Sequence, residues 1–230
     1  MSRIKSTIKE SLFRYLSNSA ILVLHHVNEK GFLCSNCVLN FNEFCTFIEE
    51  LGRYASLEEV LKDPQKRQVG VTFDDGLEDL YTHAYPLLKT KKIPFTAFIV
   101  PEFIDQKGYI TKEQLQVLSA DPLVTIGSHG LTHKTFTSMS TEEVKLEAEK
   151  SKCVLQGLTG QDINIVAYSH GLTNQAVIQE VSKVYDYGLS VNSEPLNWIT
   201  GKRKYQLPRF NVENDTVTDT CERVKKLVCL

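Results

Sequence analysis

Short, nearly continuous apolar runs recur along this chain, and between them apolar residues return at helical spacing. Runs of the first kind, rich in β-branched and aromatic residues, predict strands over 21–27, 68–73, 95–100, 123–126, 163–168, 187–191 and 205–207. The second kind predicts helices over 41–51, 56–61, 77–90, 112–119, 141–158, 175–183 and 217–228. Ser140 followed by Glu143 makes a capping box that sets the start of the helix over 141–158. Strands alternating with helices imply βαβ units and a parallel sheet. Seven strands fit either an open doubly wound sheet or a closed barrel, and periodicity does not choose between them. In both, functional groups gather where the strands end, at the carboxyl edge of the sheet.

With 230 residues, 42% hydrophobic and 23% charged, the chain carries enough apolar material for one globular domain, bounded here as 20–230. In the segment 1–19, Ile4, Ile8 and Leu12 share one helical face among Arg3, Lys5, Lys9 and Arg14, which predicts an amphipathic helix packed on the domain. The other reading of that helix is contact with a membrane surface. The segment is no secretory signal, because its basic residues are spread through it and the apolar run 20–24 stops at His25 and His26. Nothing approaches the roughly 18 apolar residues of a membrane span. The expected location is the cytoplasm. With 26 bases against 28 acids nothing supplies a broad basic face, which argues against nucleic acid as a main partner. Six cysteines, at 34, 37, 45, 153, 221 and 229, are scattered and read as reduced thiols. Cys34 and Cys37 have the spacing of zinc or redox pairs, but no second pair follows them.

Two strand ends carry the chemistry. The run 68–73 leads directly into Asp74-Asp75-Gly76, where repulsion between adjacent carboxylates is relieved if one binds a cation and the other stays free as a base. The same triplet also suits an Asx-Gly turn before a helix. The run 123–126 ends in Gly127-Ser128-His129-Gly130-Leu131-Thr132-His133, with two imidazoles four residues apart. A lone pair of that kind is weak evidence. At a strand end facing the aspartates it completes a two-His, one-carboxylate set for a divalent metal.

Thr72-Phe73-Asp74-Asp75-Gly76 with the following Ala84 to Lys89 and Ile93 to Phe98, and Ile126 to His133, resemble the first two motifs of the polysaccharide deacetylases, carbohydrate esterase family four. The strand Leu22 to Val27 resembles the first strand of many members, so the likeness runs from about Ile21 to Arg209. The resemblance implies a distorted (β/α)7 TIM-like barrel, an α/β fold of parallel strands in a single domain. It also implies metal-dependent removal of N- or O-acetyl groups from a carbohydrate, with Asp75, His129 and His133 as metal ligands and Asp74 as base. The ion implied is Zn²⁺, with Co²⁺, Ni²⁺ and Mn²⁺ as alternatives. The chain departs from the family in its third motif, where Ala167-Tyr168-Ser169-His170-Gly171 replaces Ala-Tyr-Pro-Tyr-Gly or an arginine-bearing form, and no His follows His170. The general acid is then sought in His170 or His25, and Arg209 is a candidate to orient Asp74. Tyr168, His25 and Trp198 are candidates to contact substrate, with Tyr185, Tyr187 and Tyr205 as further rings that could stack on sugars. The expected partner is an acetylated sugar or oligosaccharide, such as a surface-polysaccharide or glycolipid precursor. Hydrolysis of a formamide or ureide, and a carbohydrate-binding relic without turnover, are the alternatives.

Overall fold

The computed structural model describes residues 19–27, 37–38, 41–192, 196, 201–212 and 217–229. The predicted helix over 1–19 (but for Ser19), Cys34 and Trp198 lie outside these residues. Among the described residues are nine strands: β1 Ala20–Leu24, β2 His26–Val27, β3 Cys37–Val38, β4 Val69–Phe73, β5 Phe95–Ile99, β6 Val124–Ser128, β7 Ile165–Ala167, β8 Tyr187–Leu189 and β9 Phe210–Asn211. The α-helices are α1 Phe41–Leu51, α2 Leu57–Lys62, α3 Tyr85–Lys91, α4 Lys112–Ser119, α5 Thr141–Thr159, α6 Gln175–Val181 and α7 Val217–Cys229. Seven strands form one sheet in the order β8-β7-β6-β5-β4-β1-β9, all parallel. The small pair β2-β3 stands apart.

The sheet curls into a distorted (β/α)7 barrel with both of its faces apolar. Alternate residues such as Leu22, Val71, Phe73, Phe95, Ala97 and Ile126 pack outward in one cluster with Phe44, Leu88, Leu115, Val144, Val177 and Val224 of the helices. The opposite positions Ile21, Phe98, Ile165, Ala167 and Leu189 pack inward with Leu57 and Val60 of α2. Inward space is tight. A Cβ at Gly127 would stand 2.5 Å from the Phe98 ring, so only glycine lets that ring fill the interior.

Three boundaries differ from the sequence expectation. The run 21–27 breaks at His25, and His26–Val27 pairs with Cys37–Val38 instead of the main sheet. The helix expected over 77–90 begins with a π-helical turn, Leu80–Ala84, before α3. The strand expected over 205–207 is not one: Tyr205 ends a 3-10 turn, Gly201–Tyr205, and Leu207 makes one bridge to Leu189. Pro208 follows and has no N–H to extend that ladder. The chain therefore leaves β8, crosses the barrel gap, and pairs as Phe210–Asn211 with β1. Leu207 donates its N–H to the Gly188 carbonyl at 2.9 Å and Val212 its own to the Val23 carbonyl at 2.9 Å, so one short segment links both edges of the sheet.

Candidate active site

The predicted residues converge at the carboxyl edge of the barrel. Asp74 ends β4 on the inward side and is 3% exposed. Arg209, on the crossing segment, is fully buried and grips it with a fork: Nη1 to Oδ1 at 2.6 Å and Nη2 to Oδ2 at 2.7 Å. The guanidinium also donates from Nε to the Ser190 carbonyl at 3.2 Å and from Nη1 to Thr72 Oγ1 at 3.2 Å, and lies 5.4 Å from the centre of the Phe98 ring. Burial works to raise the Asp74 pKa, but the charges of Arg209 and His129 outweigh it and hold the carboxyl below its ordinary range.

Asp75 turns away from its neighbour through a positive φ of 72°, strain of the kind that accompanies functional turns. Its Oδ1 stands 3.1 Å from His133 Nε2 and 3.4 Å from His129 Nε2. His129 Nδ1 lies 2.9 Å from the Ala167 carbonyl, which must accept its proton, so that in the neutral ring the Nε2 lone pair faces Asp75. Asp75 Oδ1 is buried and accepts no hydrogen bond. A carboxylate oxygen and an imidazole lone pair directed at each other suit a cation placed between them. Among the described residues this is the group able to hold a metal, its three ligand atoms all within 4.8 Å of one another. Burial opposes ionisation of Asp75, yet both imidazoles bring its pKa down; burial likewise works against the charged form of His129, but the two aspartates outweigh it and raise its pKa. The site attracts positive charge, which a two-His, one-carboxylate centre requires.

The histidine loop is held from behind by a residue that the sequence reading missed. Glu147 on α5 is buried, and its Oε1 accepts the N–H groups of Leu131 at 2.8 Å and Thr132 at 2.7 Å and the Thr132 hydroxyl at 2.9 Å. It shares the buried stripe of Val144, Ala148, Ser151 and Leu155. A charge on an apolar helical stripe is the signal that was available for it.

His170 sits on the rim in a left-handed conformation, φ 61°, with its ring 4.9 Å from that of His133. Burial first, and then the neighbouring His133 and His129, lower its pKa. Ser169 beside it donates to the His129 carbonyl at 3.1 Å. His25 lies half-buried next to the strand-end aspartates, and its Nδ1 is buried without a hydrogen-bond partner. Burial lowers its pKa against the pull of Asp74 and Asp75. Tyr168 is a correction: it is fully buried, donates to the Tyr205 carbonyl at 2.9 Å and packs edge-on against Phe136, so it forms core and does not reach substrate. Tyr185 and Tyr205 are buried as well.

The sequence pattern described as "Polysaccharide deacetylase" matches residues 61–187, more than half of the chain. YxkH of Bacillus subtilis, named for the same family, is 29% identical over 151 residues, which are 66% of this chain and 53% of that protein, so the match spans about half of its length. The poly-beta-1,6-N-acetyl-D-glucosamine N-deacetylase of Staphylococcus aureus is 24% identical over 91% of this chain and 84% of its own. The deacetylase PplD of Streptococcus pyogenes, solved in complex with acetate, superimposes with a TM-score of 0.81 at 20% identity, over 92% of this chain and 98% of that one. With that match over more than half of its length, and with the barrel fold of the solved deacetylase, the chain belongs to the polysaccharide deacetylase family.

Proposed function

We propose that this chain is a metal-dependent hydrolase that removes acetyl groups from an acetamido sugar or oligosaccharide. The observation that carries the reading is the contrast between the two adjacent aspartates: Asp74 is locked by Arg209, while Asp75 faces two imidazoles with a buried, unsatisfied oxygen. Asp75, His129 and His133 would hold the ion, with Zn²⁺ favoured by the nitrogen-rich donors. A divalent ion bound there supplies Lewis acidity toward the acetyl carbonyl and an attacking water. Asp74, kept ionised and oriented by the Arg209 fork, takes the proton of that water. His170, on the rim beside His133, returns a proton to the departing amine, and half-buried His25 contacts the sugar. The Staphylococcus aureus relative is named for a polymer of N-acetyl-D-glucosamine, which makes acetylated glucosamine oligomers the first substrates to test. A cytoplasmic precursor of a surface polysaccharide or glycolipid remains part of this proposal, in keeping with the free thiols Cys45, Cys153 and Cys221. Among the described residues no helix is long and apolar enough to cross a membrane.

The test joins elemental mass spectrometry with acetate release. The wild type should carry about one divalent ion per chain, His133→Ala and Asp75→Ala should lose it, and Asp74→Asn should keep it while kcat falls at least about 100-fold. His170→Gln should slow N-acetyl sugars more than p-nitrophenyl acetate, whose leaving group needs no proton. No ion after zinc addition, or equal turnover by wild type and Asp74→Asn, would overturn the reading. Release of formate or a ring-opened product, with no acetate, would move it to another C–N hydrolase.

A further inference from the structure

We propose that Phe103 and Tyr109 form a saccharide-binding wall, on which a pyranose ring next to the reacting sugar stacks; the inference rests on the deacetylase reading above. Phe103 ends the 3-10 turn Pro101–Phe103 just beyond β5, and the loop returns through Tyr109. The two rings lie 4.5 Å apart at 44°, and Phe103 is 5.7 Å from the ring of His133. Both are partly exposed, and neither belongs to or packs against the two hydrophobic clusters found among the described residues. Other aromatic pairs, such as Phe73 with Phe95 and Phe136 with Tyr168, lie in the buried core. An aromatic pair that the core does not use, held beside a candidate metal ligand, is apolar surface kept for something else.

The loop under the rings is pinned to both halves of the site. Glu102 donates its N–H to the Leu131 carbonyl at 3.2 Å, in the histidine loop, and Ile110 donates to the Gly76 carbonyl at 2.9 Å, in the aspartate turn. Glu78 donates to the Gly108 carbonyl at 3.0 Å, and within the loop Gln106 reaches the Phe103 carbonyl and Tyr109 the Gln106 carbonyl. The backbone that carries the rings is thus held before any ligand arrives, which lowers the ordering cost of binding. Strand order puts this β5 loop on one flank of the β6 histidines, and the β7 and β8 loops on the other. There Leu172 is 55% exposed and Val191 39% exposed, Val191 being packed so closely on Gly171 (φ 69°) that a Cβ there would stand 2.6 Å from it. The β6 histidines between two apolar flanks match a pyranose chain, whose ring faces present C–H bonds and whose substituents present hydroxyl and amide groups. The stiff, flat rings of Phe and Tyr bind such faces with few rotamers to freeze.

The test compares kcat/KM of metal-loaded wild type, Phe103→Leu, Tyr109→Ala and Phe103→Tyr on β-1,6-linked N-acetylglucosamine tetramer and on p-nitrophenyl acetate. Phe103→Leu keeps apolar bulk but removes the ring face, so it should lose at least about 10-fold more on the tetramer than on the ester, chiefly through KM. Tyr109→Ala should follow it, and Phe103→Tyr should restore the tetramer rate. Equal losses on both substrates, or loss of the bound ion measured by elemental mass spectrometry, would overturn the proposal and make Phe103 a support for His133. No loss on the tetramer would overturn it too. Saturation-transfer NMR on Asp74→Asn separates this inference from the reading beneath it. If wild type releases no acetate yet the tetramer binds, and Phe103→Leu abolishes binding, the wall stands and the deacetylase reading falls; absence of tetramer binding to Asp74→Asn overturns the wall.

Discussion

Arg209 has the largest fully buried side chain among the described residues, and its charge is tolerated because Asp74, Thr72 and the Ser190 carbonyl accept hydrogen bonds from its N–H groups. Arg209→Met would leave Asp74 buried without its partner, and urea unfolding at neutral pH should show a loss of about 3–5 kcal/mol. Arg209→Lys offers one point of charge where the fork offers two, so it should recover part of the stability and less of kcat. Stability of Arg209→Met within error of wild type would show that the pair does not hold Asp74 in place. At this scale the candidate centre was legible because Asp74 and Asp75 directly follow an apolar run and His129 closely follows another. Arg209 was visible only as a candidate. Its partner was set by where the crossing segment brings it, a contact across 135 positions of sequence.

Elements position what residues supply. Helix α5 starts at the predicted capping box, Ser140 receiving the Glu143 N–H at 3.3 Å while Glu143 Oε2 accepts the Ser140 N–H at 2.7 Å. One turn on, Glu147 reaches the histidine loop, so the helix start fixes the height of that carboxylate against Leu131 and Thr132. Glu147→Ala should weaken zinc binding about 10–100-fold in competition with a chromophoric chelator, and Glu149→Ala, on the exposed face, should not. Unchanged affinity in Glu147→Ala would show that the loop stands without it. A second tie joins β2 to the turn before the π-helix: Asp79 Oδ2 lies 2.9 Å from His26 Nδ1 and accepts the Val27 N–H at 3.0 Å. The hydrogen bond to Asp79 raises the His26 pKa, against the opposing effect of burial. Its contribution to stability is therefore fully present below the unfolded value of about 6.5 and is lost as pH rises through the higher folded value. Thermal unfolding between pH 5.5 and 8.5 should show this slope in wild type, reduced in Asp79→Asn; identical slopes would remove the pair from the account. The π-helical turn was not legible, because Leu80 to Ala84 carry the same apolar spacing as an α-helix.

For the whole molecule, the candidate ligands come from two strand ends that meet only in the folded barrel, so ion binding should stabilise the fold. Zinc at 100 times its Kd should add about 2.7 kcal/mol, EDTA should reverse the gain, and His133→Ala should abolish it. A wild-type Tm indifferent to both zinc and EDTA would remove the metal from this centre. What the sequence alone determined was local: a parallel α/β architecture, six of seven main strands, and the order Asp74, Asp75, His129, His133 at strand ends. These follow from the alternation of short apolar runs with helical periodicity, which depends on neighbouring residues. The barrel, which periodicity left open, was implied by the motif resemblance and is what the structure has; only the tertiary structure decided that Pro208 turns the last segment across the gap. Arg209 lies on that crossing and so lands on Asp74, while Tyr168, one residue beyond β7, points into the core. Those outcomes depend on packing between positions far apart in the chain, where strand curvature and close contacts such as Phe98 over Gly127 select one closure from several that the periodicity permits.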